Sequence, residues 1–347
     1  MTDHDHDVGG SPRLPAARRL LLGVGVTVLV VLGVAVLIGR AAGFSRVRDE
    51  VANADSSWFA VCFLAEVVAY VSYSFVFRDA MRRRGGPDLG MGLSLHLTLA
   101  SLGAMIAAAS AGGLAVTYWS FRRAGHATEE AIVRVLGLNT LVYLVFGLVA
   151  WIAALLTTIG VLGDAPLGLT LPWLVVIPVC IVAAWFTTEP RRVERLTASD
   201  RGLALRVVGY GIGGTAWVRG LLRSPDAGLP VACAAGYWAG DIACLGAALH
   251  SVGQPLPLAE LALAFATGYA AMVLPLPLGG AGGVEAAMTY ALTAVGVPLA
   301  PALVAVAVYR LFGFWIPTLP AFAALAFLPR AGRSLERAAT ATSGAHA

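Results

Sequence analysis

Pro275-Leu276-Pro277-Leu278-Gly279-Gly280-Ala281-Gly282-Gly283-Val284-Glu285 lies inside an otherwise apolar stretch of the chain. An uninterrupted spanning helix does not accept this run. Each proline removes a backbone donor, and each glycine gives up more chain entropy on ordering than any other residue. At membrane depth, irregular backbone survives only where protein buries it or where it lines a cavity. Glu285 sets a carboxylate directly after the break. A broken helix followed by an acid points to a binding or transport site, not to a simple anchor.

The rest of the sequence places this motif in a bilayer. Apolar residues make up 58% of the 347 and charged residues 13%, with a mean hydropathy of +0.79. Soluble domains sit near 45–50% apolar and about 25% charged. The longest polar stretch, residues 187–228, is too short for an independent folded domain. No Gly-rich loop ends in Lys, which excludes a P-loop nucleotide site. The net charge of +4 comes entirely from arginine and fits loops facing an anionic leaflet, not a nucleic-acid surface. Cys62, Cys180, Cys233 and Cys244 lack metal or redox spacing and read as small buried hydrophobes. No cofactor is expected.

The chain divides as follows. Residues 1–19 read as a disordered cytoplasmic tail, 20–328 as one transmembrane domain, and 329–347 as a second cytoplasmic tail. Leu20–Ile38 and Trp58–Phe77 have spanning length. Arg78, Arg82, Arg83 and Arg84 mark the following loop as cytoplasmic. Residues 89–121 are too long for one span and short for two, so a break is expected at Ser110-Ala111-Gly112-Gly113. Further spans are read at 131–158, 171–187, 229–249, 258–274 and 301–328. Arg206 and Arg219 turn 203–222 into an amphipathic surface helix. The fold class is therefore an all-α integral membrane protein: a polytopic helical bundle of about 8 full spans plus two short broken or re-entrant segments.

The two broken regions align. Gly112 corresponds to Gly283 at a separation of 171 residues, which also carries Gly125 to Gly296 and Asn139 to Arg310. This suggests an internal repeat, with halves at about 89–158 and 258–328. If the short segments cross, ten crossings give the copies opposite orientation; if they re-enter, about eight full spans leave that parity open. Inverted repeats with discontinuous helices and a midplane site are a transporter architecture.

Each charge inside a span needs a reason, since it costs roughly 2.5–3.5 kcal/mol at a helix centre. Glu66 is followed at helical spacing by Tyr70 and Tyr73; Asp241 stands next to Tyr237 and Trp238; Arg310 follows Tyr309. His96 and Asn139 are weaker candidates. One reading is a polar cavity lined by Glu66, Asp241, Glu285 and Arg310. There the carboxylates would carry protons or cations and Arg310 would hold a phosphate. The other is internal pairing, Glu285 with Arg310, that holds the bundle together.

Gly279-Gly280-Ala281-Gly282-Gly283-Val284-Glu285 fits the pattern G-G-x-G-x-x-E, and Gly296-Val297-Pro298, Tyr309-Arg310-Leu311 and Phe314-Trp315-Ile316-Pro317 follow it. This series resembles the lysylphosphatidylglycerol synthase transmembrane family, which includes the flippase portion of bacterial multiple-peptide-resistance factors. Gly112-Gly113, Tyr118-Trp119 and Arg122-Arg123-Ala124-Gly125 extend the likeness loosely to the first half. The resemblance implies a multi-pass protein of the cell inner (plasma) membrane, both termini cytoplasmic, that moves or binds a phospholipid or a lipid-linked saccharide. It implies Glu285 and Arg310 as the motif's acid and base, with Gly279, Gly280, Gly282, Gly283 and Tyr309 beside them. Leu278 departs from the Pro or Gly expected there, and the first-half break lacks the Pro and Arg often found in it. The soluble aminoacyl-transfer domain of the bifunctional members is absent from this sequence, so it is not expected to synthesise aminoacylated lipid.

The leading expectation is a lipid transporter or flippase without ATPase activity, with membrane lipid as its substrate. The alternative is a non-catalytic accessory protein of a lipid or cell-envelope pathway, which leaves room for a membrane-protein partner or a homo-oligomer. An intramembrane headgroup enzyme fits least, because the sequence offers no nucleophile with a base and no phosphatase-like set of Arg and His. Which lipid moves, in which direction and on what energy is open at this level.

Overall fold

A computed structural model describes residues 44–189, 191, 203–273 and 282–345. The tail 1–19, the run Leu20–Ile38, Arg192, Arg195, Arg201, Pro275, Pro277, Gly279 and Gly280 lie outside the described residues. Among the described residues, every regular element is helical. The α-helices are α1 (Phe44–Asn53), α2 (Ser57–Arg82), α3 (Met91–Arg123), α4 (Thr128–Thr158), α5 (Leu167–Thr187) and α6 (Leu203–Leu222). They continue with α7 (Gly228–Ser251), α8 (Leu258–Tyr269), α9 (Gly283–Ala294), α10 (Leu299–Arg310), α11 (Ile316–Ala326) and α12 (Leu328–Ala345). A π-helical turn, Leu311–Trp315, joins α10 to α11. Among the described residues, six helical segments are long and apolar enough to cross a membrane: α2, Met91–Ala108, α4, α5, Pro225–Ser251 and Leu299–Ala326.

The centre of the bundle is the antiparallel pair α2 and α7. Small residues let the two backbones approach. A Cβ on Gly240 would lie 2.5 Å from the Ala65 carbonyl oxygen, and one on Gly236 would lie 2.8 Å from Ser72 Oγ. Cys62 Sγ donates to the Cys244 carbonyl at 3.5 Å. As the residue number rises along α7 it falls along α2, so the helices run in opposite directions.

Two helical hairpins flank this pair. The backbone of α3 is helical from Met91 to Arg123, yet Ser101 Oγ and Thr117 Oγ1 are 3.2 Å apart. Sixteen residues of straight helix would separate them by about 24 Å. The helix therefore folds back on itself, and Gly112 packs against the Ala104 carbonyl while a Cβ on Gly113 would lie 3.1 Å from Ser101 O. The sequence break expected at 110–113 is thus a fold-back between two contacting arms. In the second hairpin, a Cβ on Gly268 of α8 would lie 2.6 Å from Met288 Cα of α9. The expected short segment after the Pro-Gly stretch is α9, which begins at Gly283. Cysteines placed at Ser101 and Thr117 should close a disulfide in the purified protein, since the two side-chain oxygens they replace are in contact. A straight helix would leave both thiols free, as mass analysis after alkylation would show.

The turns that follow the hairpins are alike. Gly125 has φ +91 and Gly296 φ +95. Gly125 N–H donates to Arg122 O and Gly296 N–H to Thr293 O, each at 3.1 Å; His126 N–H donates to Phe121 O at 3.2 Å and Val297 N–H to Leu292 O at 3.0 Å. The left-handed conformation at each turn suits glycine.

The two hairpins open toward opposite ends of the bundle. Hairpin α3 starts and ends beside the Arg-rich end of α2, where Asp79 binds Arg82 and Arg83 and Arg78 pairs with Asp88 at 2.8 Å. The α8–α9 hairpin starts at the other end, where Glu260 Oε1 accepts from Asp164 N–H at 2.7 Å and Trp58 stacks on His250 at 4.5 Å.

Several sequence boundaries shift. α4 begins at Thr128, ahead of the expected 131, and its first turn carries Glu129 and Glu130, which favour a helix N-terminus. Arg134 is fully buried there; it donates to Glu130 and to the Ala80 and Arg83 carbonyls that end α2. His126, in the turn before α4, contacts Met81 O at 3.2 Å. Burial, and after it the Arg134 cation, holds this imidazole below its ordinary value. Of the expected tail 329–347, the described residues 329–345 form most of α12, which docks on α3 through Gly332 against Trp119 and the Arg123–Glu336 ion pair. Cys62 and Cys244 are buried as expected, but Cys180 is exposed, because α5 shows most of its surface to the surroundings. α6 is not among the six spanning segments; its Gly214 packs on Gly137 of α4, and Arg219 stacks on Trp185 at 4.4 Å.

Candidate functional site

The site begins at the N-terminus of α9. Gly282 caps the helix with φ +87, a conformation that only glycine adopts cheaply. Its N–H donates to Glu285 Oε2 at 2.6 Å. Glu285 lies in the first helical turn, where the helix dipole stabilises a carboxylate. Its other oxygen accepts from Arg310 Nε at 2.7 Å. The expected pair is therefore formed, and Glu285 is anchored from three directions. Gly283 is the first residue of α9, directly behind the cap.

Arg310 is anchored on one side only. Its guanidinium lies 4.3 Å over the Phe314 ring, and its Nη2 is buried without a hydrogen-bond partner. Thr289 stands one turn from Glu285 on the same face of α9, and its Oγ1 is also buried and unpartnered. A buried donor left unmade costs roughly 1–3 kcal/mol, more when charged. Two such atoms beside a broken helix mark a place where a ligand's oxygens would be welcome.

The neighbouring residue, Tyr309, turns the other way and donates to Asp241 Oδ1 at 3.2 Å. Asp241 on α7 faces Glu66 on α2, and both are buried. Glu66 Oε1 has no hydrogen-bond partner and lies 2.9 Å from the position a Cβ on Gly313 would take. Gly313 lies in the π turn, whose form follows from the sequence. Pro317 has no N–H to offer the Gly313 carbonyl four residues before it. Tyr70 fills the vacancy, its hydroxyl donating to Gly313 O at 3.2 Å. π turns recur at functional sites, and here one re-aims the helix directly after Arg310.

The structure thus brings Glu66, Asp241, Glu285, Arg310, Tyr309, Gly282 and Gly283 into one region. The weaker candidates separate from it. Asn139 Nδ2 donates to Val135 O of its own helix at 2.9 Å. His96 packs toward Ala324 on the α3–α11 side. Tyr73 stacks edge-on against Tyr237 at 5.4 Å and does not join the acids. Thr289 and the Gly313–Tyr70 contact were missed in the sequence. The first had a signal in its spacing of four from Glu285, the second in the spacing of four between Gly313 and Pro317.

Long apolar helices, an α5 that exposes Val175, Val176, Val179 and Phe186, and charges gathered in the core define a multi-pass membrane protein. The family model described as the lysylphosphatidylglycerol synthase TM region matches residues 20–321, and the chain belongs to that family, a membrane domain associated with lipid handling. Among curated proteins, none matches the chain.

Proposed function

We propose that the protein is a lipid transporter of the flippase class, not an enzyme, and that Arg310 receives the anionic headgroup of a phospholipid or lipid-linked saccharide. The observation that carries this reading is the buried, unpartnered Nη2 of Arg310, whose ion-pair partner Glu285 lies one helical turn from the unpartnered Thr289 Oγ1. A guanidinium offers a planar fork suited to a phosphate's paired oxygens. With Nε held by Glu285, the free edge of the fork is the part a lipid phosphate would take. Glu285 positions the guanidinium and balances its charge between turnovers.

The architecture supports transport. We read the bundle as an inverted repeat in which α2, hairpin α3 and α4 correspond to α7, hairpin α8–α9 and α10–α11. A separation of 171 residues relates Ser57 to Gly228, Arg123 to Ala294 and Thr128 to Leu299, which begin or end matching helices. It also relates Val142 to Gly313. The Val142 carbonyl accepts the Trp238 indole N–H from α7, and the Gly313 carbonyl accepts the Tyr70 hydroxyl from α2. In this reading the hairpins re-enter from opposite faces and meet near mid-membrane, where headgroup and coupling groups gather in such transporters. The Arg-rich end carrying Arg78, Arg82, Arg83, Arg122 and Arg123 is the cytoplasmic one.

A photoreactive side chain at Thr289 tests the headgroup site in native membranes. Expected is a covalent phospholipid or lipid-linked saccharide adduct that falls sharply when Arg310 is replaced by Gln. A control at Val176, exposed on α5, should label lipid with or without Arg310. Labelling at Val176 with none at Thr289 would mean that lipid does not reach the core.

A further inference from the structure

We infer that Glu66 and Asp241 form a proton-binding site in which the two carboxyls share one proton, and that its release is coupled to lipid passing Arg310. The coupling half of this inference rests on the transport reading above.

The geometry leads to the shared proton directly. Glu66 is 4% exposed and Asp241 6%, and they face each other across α2 and α7, directly beside the tight contact of Gly240 with Ala65. Like charges in such proximity and burial do not both ionise; one proton remains between them. The groups facing the pair are few: Cys62 and Tyr70 on α2, Tyr237 and Cys244 on α7, Tyr269 at the end of α8, and Tyr309 and Arg310 on α10. Arg310 is the cation of this set, and Glu285 already holds its Nε. Nothing else in the set can neutralise a second negative charge. The donor set is also too small for a metal cation, which would ask for six or more oxygens if calcium and nearly as many if magnesium. No group of three or more His, Cys, Asp or Glu among the described residues is placed to hold a metal. Glu66 Oε1 supplies the independent sign that the site exchanges something. It is buried, unpartnered and packed against Gly313 in the π turn, where a Cβ would come within 2.9 Å of it.

The link to Arg310 is one peptide bond long. Tyr309 binds Asp241, and Arg310 binds Glu285. When the shared proton leaves a carboxyl O–H for a water molecule admitted from solvent, the pair gains one negative charge. That charge pulls the guanidinium toward Asp241 and away from Glu285. When the proton returns, the pull weakens and Arg310 goes back to Glu285 or to a headgroup phosphate. Proton occupancy thus sets which partner Arg310 keeps. The π turn immediately after it gives the helix a place to adjust.

Infrared spectroscopy of the purified protein in detergent reads the proton without any transport. At neutral pH the wild type should show the C=O stretch of a protonated, buried carboxylic acid. The band should be lost in Glu66→Gln and Asp241→Asn and kept in Glu285→Gln. Carbon-13-labelled aspartate or glutamate in the wild type should shift it, which decides the matter even where a variant folds poorly. A wild-type spectrum with no such band overturns the proton site. In vesicles, a pH difference should change wild-type lipid movement severalfold and leave Glu66→Gln indifferent. Movement insensitive to the gradient, with the band present, overturns the coupling. If no lipid moves in any vesicle while the band is present, the transport reading fails and the shared proton stands.

Discussion

Arg310→Ala should abolish lipid movement and lower the stability of the bundle by about 3 kcal/mol, the lower end of the cost of breaking a buried ion pair. The lower end applies because the Glu285 side chain is 20% exposed and keeps its bond to Gly282 N–H. The two losses have separate causes. Stability falls because Glu285 loses its cation and Phe314 loses the guanidinium stacked on it. Transport falls because the free edge of the fork is gone. Arg310→Lys separates them. A lysine restores charge opposite Glu285 and with it much of the stability, but a point charge cannot bond Glu285 and a phosphate in the same planar arrangement. Lipid movement should stay low in Arg310→Lys while the melting temperature in detergent recovers. If Lys restores transport in full, the planar fork is not what the lipid uses.

Gly240→Val should be the most damaging substitution at the helix crossing. Its Cβ would lie 2.5 Å from Ala65 O and 2.9 Å from Ala69 Cβ and from Ala69 N. Two of those atoms are backbone, so no rotamer change relieves the clash; α2 and α7 must separate. Overpacking a rigid core costs about 1–3 kcal/mol and more where backbone moves. The same separation would pull Asp241 from Glu66, so proton binding and lipid movement should fall with the fold. Gly220→Ala is the matched control. It lies within α6, nothing stands within 4 Å of the added Cβ, and alanine favours a helix over glycine by up to about 1 kcal/mol. Melting temperatures in detergent should drop for Gly240→Val and hold or rise for Gly220→Ala. Equal effects would mean that the α2–α7 contact is looser than the structure has it.

Much of the site was legible in the sequence because a membrane makes every charge and every broken helix conspicuous. Glu285 followed the Pro-Gly run, Arg310 lay in an apolar helix, and both had to find partners in the core. Glu66 and Asp241 were visible for the same reason, but their mutual approach was not, since it depends on how two Gly- and Ala-rich helices cross. The hairpin in α3 was half legible. Gly112 and Gly113 marked the place, but Ala-rich sequence on both sides favours a helix, and only the Ser101–Thr117 contact reveals the reversal. Arg134 escaped because a basic residue near a span's start reads as a loop marker, whereas it folds inward to cap the end of α2. α12 escaped because a charged segment after the last span reads as a tail. Its apolar face becomes visible only once α3 is there to receive it.

The central claim, that lipid crosses through a core built around Arg310, is tested most directly by leaflet accessibility. Purified protein in vesicles carrying a labelled phospholipid or lipid-linked saccharide is exposed to a reagent that reaches only the outer leaflet. Wild-type vesicles should lose the protected inner pool without ATP, and Arg310→Ala vesicles should retain it as protein-free vesicles do. Equal protection in wild-type and protein-free vesicles across both lipid classes would contradict the claim.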